Sequence, residues 1–259
     1  MIDIRITDYR QVIAFWLCFS RVLAILIQLP LFDQISIPNL VKVLASLTLT
    51  FAIGSSVYPY IYRDIEIVGI DNFWLLTLVY VITGLMIGFF VKIIMAIFVG
   101  AGAILTQQVG FAAVNYFDPS MAQSTGPFER LISWTMIILI ISSGALIPMF
   151  QGLLVSFKSL NFNELVEAKD FSNYYFYFFK SAFASILMLS SPIIFINVLI
   201  IVLLGIVTRL VPQMNILLVS FVINIGLGLM VFYFIIDEFF YMAFNIYTKQ
   251  LGVWFNFIK

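Results

Sequence analysis

Long charge-free apolar runs set the limits on what this chain can fold into. Six runs are each about as long as one bilayer crossing, which takes ~20 mainly apolar residues. They cover residues 12–31, 43–62, 72–91, 131–157, 181–208 and 210–236. Arg21 interrupts the first. Pro59 and a charged loop with Arg63, Asp64, Glu66 and Asp71 are expected to end the second. The third continues past Lys92 to Phe117, too long for a single crossing. Asp237 and Glu238 close the sixth, and an aromatic segment, 239–247, trails toward the C-terminus. The polar cover is thin: 63% of the chain is apolar and 10% charged, against ~25% charged in ordinary soluble domains. With a mean hydropathy of +1.11, this composition excludes a disordered chain and argues against a soluble enzyme. It predicts an all-α, polytopic membrane-type protein, or a subunit buried in a membrane-associated assembly.

Two shortages narrow the chemistry. The chain has no histidine and one cysteine, Cys18, inside an apolar run. Disulfides, zinc sites, CxxC redox centres, His-based triads and His-ligated haem are thereby excluded within it. No phosphate-binding Gly-rich loop occurs, and no metal or cofactor is implied. The formal net charge of zero gives no basic field for nucleic acid. Acidic and basic residues alternate near the N-terminus and Arg21 splits the first apolar core, so this segment is expected to be retained, not cleaved as a signal.

Lys and Arg counts lean toward a cytoplasmic N-terminus. With six crossings, eight (Arg5, Arg10, Arg63, Lys158, Lys169, Lys180, Lys249, Lys259) fall on the N-terminal side. Four (Lys42, Lys92, Arg130, Arg209) fall on the other. The short link around Arg209 reads better as a tight helical hairpin than as a join between independent crossings. The aromatic run 174–179, in the longest polar interval, reads as an interfacial belt or as a docking surface.

Small residues recur at helical spacing in the third region: Gly84 and Gly88, then Ala96 and Gly100, with Gly102 following. Spacing of four puts each pair on one helix face, where another helix can approach closely. Beyond them, 107–119 brings amides, Gln107 and Gln108, next to aromatic rings. Gly110 and Asp118-Pro119 punctuate the helix there. This segment reads either as a constriction in a pore or as an ordinary inter-helix loop. Arg21, Lys92 and Arg209 sit in or between apolar runs, where a charge must pair, snorkel or face water. Arg21 is the candidate buried charge. In 203–215, Pro212 stops one helix and can start the next. Gln213, Asn215 and Arg209 can satisfy the freed backbone, which makes a polar hairpin corner. A broken helix of this kind also leaves open an autonomous solute transporter.

Taken in order, these motifs resemble the FliR family of flagellar type III export gates, related to the SctT proteins of injectisomes. The corner is similar to the family's Leu-Gly-x-x-x-Arg-x-x-Pro-Gln-x-Asn pattern, carried here by Gly205, Arg209, Pro212, Gln213 and Asn215. Ser191-Pro192, Ala101-Gly102, Gln108, Gly110, Asp118-Pro119, Arg21, Pro30, Pro38 and Pro59 match other family positions at matching spacing. Tyr80 and Ala103 stand where the family often has acids, Ala145 where it has histidine, and Val222 where it has proline; a proline after Ser156-Phe157 is also missing. The resemblance implies a non-enzymatic subunit that assembles with FliP-like and FliQ-like subunits, near FlhA-like and FlhB-like components, in the inner membrane within the basal body. It implies a FliP-like part, 1–180, and a FliQ-like helical hairpin, 181–259. It also implies a channel plug over 107–119, with Phe111 and Phe117 as occluding rings, set in the path of unfolded exported polypeptides.

Overall fold

The computed structural model describes residues 9–29, 37–111, 125–159, 171–211 and 216–258. Seven α-helices and one short 3-10 turn order them. They are α1 (Tyr9–Gln28), α2 (Asn39–Val68), the turn Ile70–Asn72, α3 (Phe73–Val109), α4 (Pro127–Ser142), α5 (Leu146–Ser159), α6 (Phe171–Leu210) and α7 (Ile216–Ile258). No strand occurs among the described residues. Five helices are long and apolar enough to cross a membrane, or six if α4 and α5 count as one broken span. The chain is thus an all-α, polytopic integral membrane protein.

The helices are longer than the apolar runs suggest. α2 does not end at Pro59. It runs on to Val68 through Arg63, Asp64 and Glu66, so the expected charged loop is helical. A proline leaves the carbonyl four residues earlier without its partner. Here that is Ser55, and both residues are exposed. α3 is a single helix of 37 residues, about 55 Å at 1.5 Å per residue. The fourth run is split, with Gly144 at φ 70 in the break. α6 absorbs the aromatic run 174–179 and α7 absorbs 239–247. Asp237 and Glu238 therefore do not close a helix but lie within α7, on its exposed side.

The chain forms two compact units: Met1–Ile93 with Ala145–Ser172 and Gln250–Lys259, and Ile94–Gly144 with Asn173–Lys249. In the first, α1 packs along α2, which also meets α5. Gly84 and Gly88 of α3 lie beneath α1. A side chain at Gly84 would come within 2.6 Å of the Arg21 carbonyl, and one at Gly88 within 3.0 Å of Gln28 Cβ. The Gln28 amide donates to the Leu85 carbonyl at 2.7 Å across the same seam. Nearby, Gly152 leaves the space that the buried Trp254 ring fills. In the second unit, Gly102 lets the start of α4 approach α3, with the Glu129 backbone 2.7 Å from where a Cβ would stand. Gly100 meets only the Ile186 side-chain tip, at 3.1 Å.

These contacts separate two substitutions. Gly84→Val should destabilise the chain by about 1–3 kcal/mol, because fixed backbone has to move to admit it. Gly100→Ala should change stability by under about 1 kcal/mol, because the Ile186 tip can yield and alanine favours the helix. Thermal unfolding in detergent checks the contrast.

Candidate functional site

Two groups of polar side chains stand out among the described residues, one in each unit. In the first, Arg21 of α1 is 1% exposed. Its guanidinium carbon lies 4.2 Å from the Tyr80 ring centre and 4.6 Å from that of Phe157. Nη1 donates to the Ser156 carbonyl at 3.1 Å, tying α1 to α5. Tyr80 in turn donates its hydroxyl to Asp64 Oδ2 at 2.7 Å, and Asp64 is 3% exposed. A cation between two rings out of water gains about 2 kcal/mol or more. A buried charge in apolar surroundings needs such partners, since its desolvation cost is several kcal/mol. Asp64 was expected in a loop; as part of α2 it faces inward, next to the Arg21 cluster.

The second place is the end of α3 in the second unit. α3 stops at Val109, where Gly110 takes φ 94 and donates its N–H to the Gln107 carbonyl. Positive φ suits glycine and ends a helix here. Gln107 is exposed and Gln108 half-buried. Gln108 Oε1 accepts a hydrogen bond from Asn197 Nδ2 of α6. A side chain built at Gly110 would face Phe221, Asn224 and Ile225 of α7 at 3.8–4.0 Å. Gly228 brings α7 onto Val109, with a Cβ there 2.8 Å from the valine methyl. Asn197 Oδ1 and Asn224 Oδ1 are buried and accept no hydrogen bond among the described residues. An acceptor left this way costs about 1–3 kcal/mol.

Phe111 extends the junction through rings. It meets Phe128 of α4 at 5.9 Å, Phe128 meets Phe232 at 4.9 Å, and Phe232 meets Phe239 at 5.8 Å, all edge-on. Thus the structure brings together Gln108, Gly110 and Phe111, and adds Asn197 and Asn224. Phe117, Asp118 and Pro119 lie outside the described residues, as do Pro212, Gln213 and Asn215. Of the hairpin corner, Gly205 and Arg209 are described. Both are exposed near the end of α6, and no described residue lies within 4 Å of where a Gly205 side chain would stand. Among the described residues, no group of three Cys, Asp or Glu side chains could hold a metal ion.

Comparison with known sequences matches the family described as bacterial export proteins, family 1, across residues 12–250. The chain belongs to this family, that of the FliR proteins. It is 30% identical to flagellar biosynthetic protein FliR of Borreliella burgdorferi over 62% of this chain and 61% of that one. It is 27% identical to the flagellar biosynthetic protein FliR of Pectobacterium carotovorum subsp. carotovorum over 83% and 81%. It is also 25% identical to Yop proteins translocation protein T of Yersinia pestis over 82% and 81%. Both polar clusters lie inside the span matched to the FliR family. Trp254 lies beyond it.

Sequence reading singled out Arg21 but not its surroundings. A signal was available in Asp64 and Tyr80, 16 residues apart on either side of Gly69. Two neighbouring helices joined there put them face to face. A lone amide in an apolar run, such as Asn197 or Asn224, carries no spacing pattern that marks it. For the first cluster, Tyr80→Phe should cost about 1–3 kcal/mol, since it leaves buried Asp64 without its donor. Arg21→Ala should cost about 3–5 kcal/mol. Thermal unfolding of the detergent-purified chain measures both, and equal losses would contradict the arrangement described.

Proposed function

We propose that this protein is a non-enzymatic subunit of the flagellar type III protein export gate. In this reading it joins FliP-like and FliQ-like subunits in a closed channel core for unfolded polypeptides, near FlhA-like and FlhB-like components. It sits in the bacterial inner membrane within the basal body. The observation that carries the reading is the family match across 12–250, which takes in both units. The names of several relatives, flagellar biosynthetic protein FliR, point to the flagellar system. The Yersinia relative, named for Yop translocation, supports an injectisome export subunit as the second reading.

The chemistry of the chain agrees with a role in passage and assembly. Of the most apolar stretches, 22% is buried in α6 and 11% in α7, so both helices offer wide apolar faces to partner helices or lipid. We assign the hairpin corner, Gly205, Arg209, Pro212, Gln213 and Asn215, to partner contact. Residues 107–119 act as the plug, with Phe111 and Phe117 as its rings. The division into a FliP-like part, 1–180, and a FliQ-like hairpin, 181–259, is part of the same reading.

Three measurements test it. Affinity-tagged protein should co-purify with FliP-like and FliQ-like subunits from its native membrane. Deleting 108–117 should leave that complex intact but make the membrane leaky to ions and small solutes; an intact complex with unchanged conductance would remove the plug assignment. Gly205→Leu should leave the isolated chain's unfolding temperature within about 2 °C, since the site is open. It should nevertheless lower recovery of the complex, and undiminished recovery would take Gly205 out of the interface.

A further inference from the structure

The junction at the end of α3 combines features that neither a rigid core nor a simple loop needs. Val109 fills the space where a Gly228 side chain would stand, its methyl 2.8 Å from the place of a Cβ. Gln108 and Asn197 are joined by one amide-to-amide hydrogen bond. Two more amide oxygens, on Asn197 and Asn224, are buried without a donor among the described residues. Phe221 and Ile225, which stand with Asn224 opposite Gly110, have apolar side chains. The arrangement is therefore tightly closed yet polar at heart, and any movement of α7 away from α3 would let these groups find donors.

We propose that this junction is where the second unit opens, and that Gln108, Asn197 and Asn224 then form a main-chain binding site for an unfolded polypeptide. The proposal rests on the export reading above. Each side-chain amide offers a donor and an acceptor, the same pair that every peptide unit presents. Three uncharged amides can thus hold an extended chain whatever its side chains, and favour neither acidic nor basic sequence. Phe221 stands with Asn224 opposite Gly110 and adds no charge. In the closed junction the buried oxygens bias the equilibrium toward opening, and the Val109–Gly228 contact with the Gln108–Asn197 bond opposes it.

The test uses the assembled complex in its native membrane. Loss of polypeptide export in a strain lacking this chain, restored by the wild-type protein, checks the export reading by itself; if export persists in that strain, the reading fails, not the junction geometry. The junction is then locked with Val109→Cys and Gly228→Cys. A Gly228 Cβ would stand 3.2 Å from Val109 Cβ, just under the ~3.5–4.5 Å of a disulfide, and Val109→Cys trades the two valine methyls nearest it for one sulfur. The chain's sole cysteine, Cys18, is 0% exposed and does not compete. Export by the reduced pair is the reference for its oxidised form. Oxidation should lower export at least about tenfold and reductant should restore it; full cross-linking with unchanged export overturns the proposal. Asn224→Leu removes one unsatisfied acceptor at similar volume and should favour the closed junction about tenfold. Export should fall and the protein should unfold at an equal or higher temperature. Wild-type export by both Asn197→Leu and Asn224→Leu would also overturn it. Where a leucine variant fails to assemble, the reversible disulfide decides.

Discussion

A chain with this little polar surface has to pair its backbone within itself, and that requirement shapes everything else in the structure. In apolar surroundings each unpaired N–H or C=O costs several kcal/mol, so the helices run on wherever the residues allow. α2 passes Pro59 and α6 passes Pro192 without ending, because losing one hydrogen bond costs less than breaking the helix. Three of the seven helices end at a glycine of positive φ. Gly69, Gly110 and Gly144 follow α2, α3 and α4 with φ values of 86, 94 and 70. Positive φ turns the chain and lets N–H groups return to the last carbonyls. Gly69, for example, donates to Ile65 at 3.0 Å.

The same requirement separates the two polar clusters. Arg21 is held between two rings and bonded to the Ser156 carbonyl, while Tyr80 serves Asp64. These contacts link α1, α2, α3 and α5 through charge, so moving one element would leave a charge without its partners. That favours a rigid first unit. At the end of α3, Gln108 meets the neutral amide of Asn197, and the oxygens of Asn197 and Asn224 have no donor among the described residues. Neutral groups cost less to expose and to rebury than ions do. A part that has to move during function is better built from amides than from a buried ion cluster.

Much of this was legible in the sequence. Charge-free runs of crossing length gave the all-α class and the number of apolar helices. The Gly84 and Gly88 spacing marked a face that lies directly under α1. What failed was the reading of boundaries, and the reason is physical. Pro59 and the charges after it are breakers in water, but an amphipathic stretch can carry exposed Arg63 and Glu66 on one face and buried Asp64 on the other. Asp237 and Glu238 were read as an end because adjacent acids interrupt an apolar run, yet both point outward from a helix that continues for about five more turns. The amides Asn197 and Asn224 carry no local pattern at all. Their meaning comes from α6 and α7 meeting the end of α3, a contact between residues about 90 and 115 positions apart, which no window of sequence contains.

The glycines show where the chain is complete and where it is not. Gly84, Gly88, Gly102, Gly152 and Gly228 are each filled from within their own unit, by backbone or side chains closer than 3.1 Å to a virtual Cβ. Gly69 is open, but its φ explains it. Gly205, Gly226 and Gly252 have no such explanation. They lie inside α6 and α7, take no positive φ, and have nothing within 4 Å among the described residues. An open helical glycine costs roughly 0.5–1 kcal/mol relative to alanine and returns no contact within the chain. Their neighbours on the same helices include exposed Leu203, Ile206, Leu227 and Leu229. Small residues set among large apolar ones form the relief that close helix packing requires. The outer faces of α6 and α7 therefore have the form of surfaces that other helices complete, whereas the inner seams around Gly84 and Gly102 are already closed.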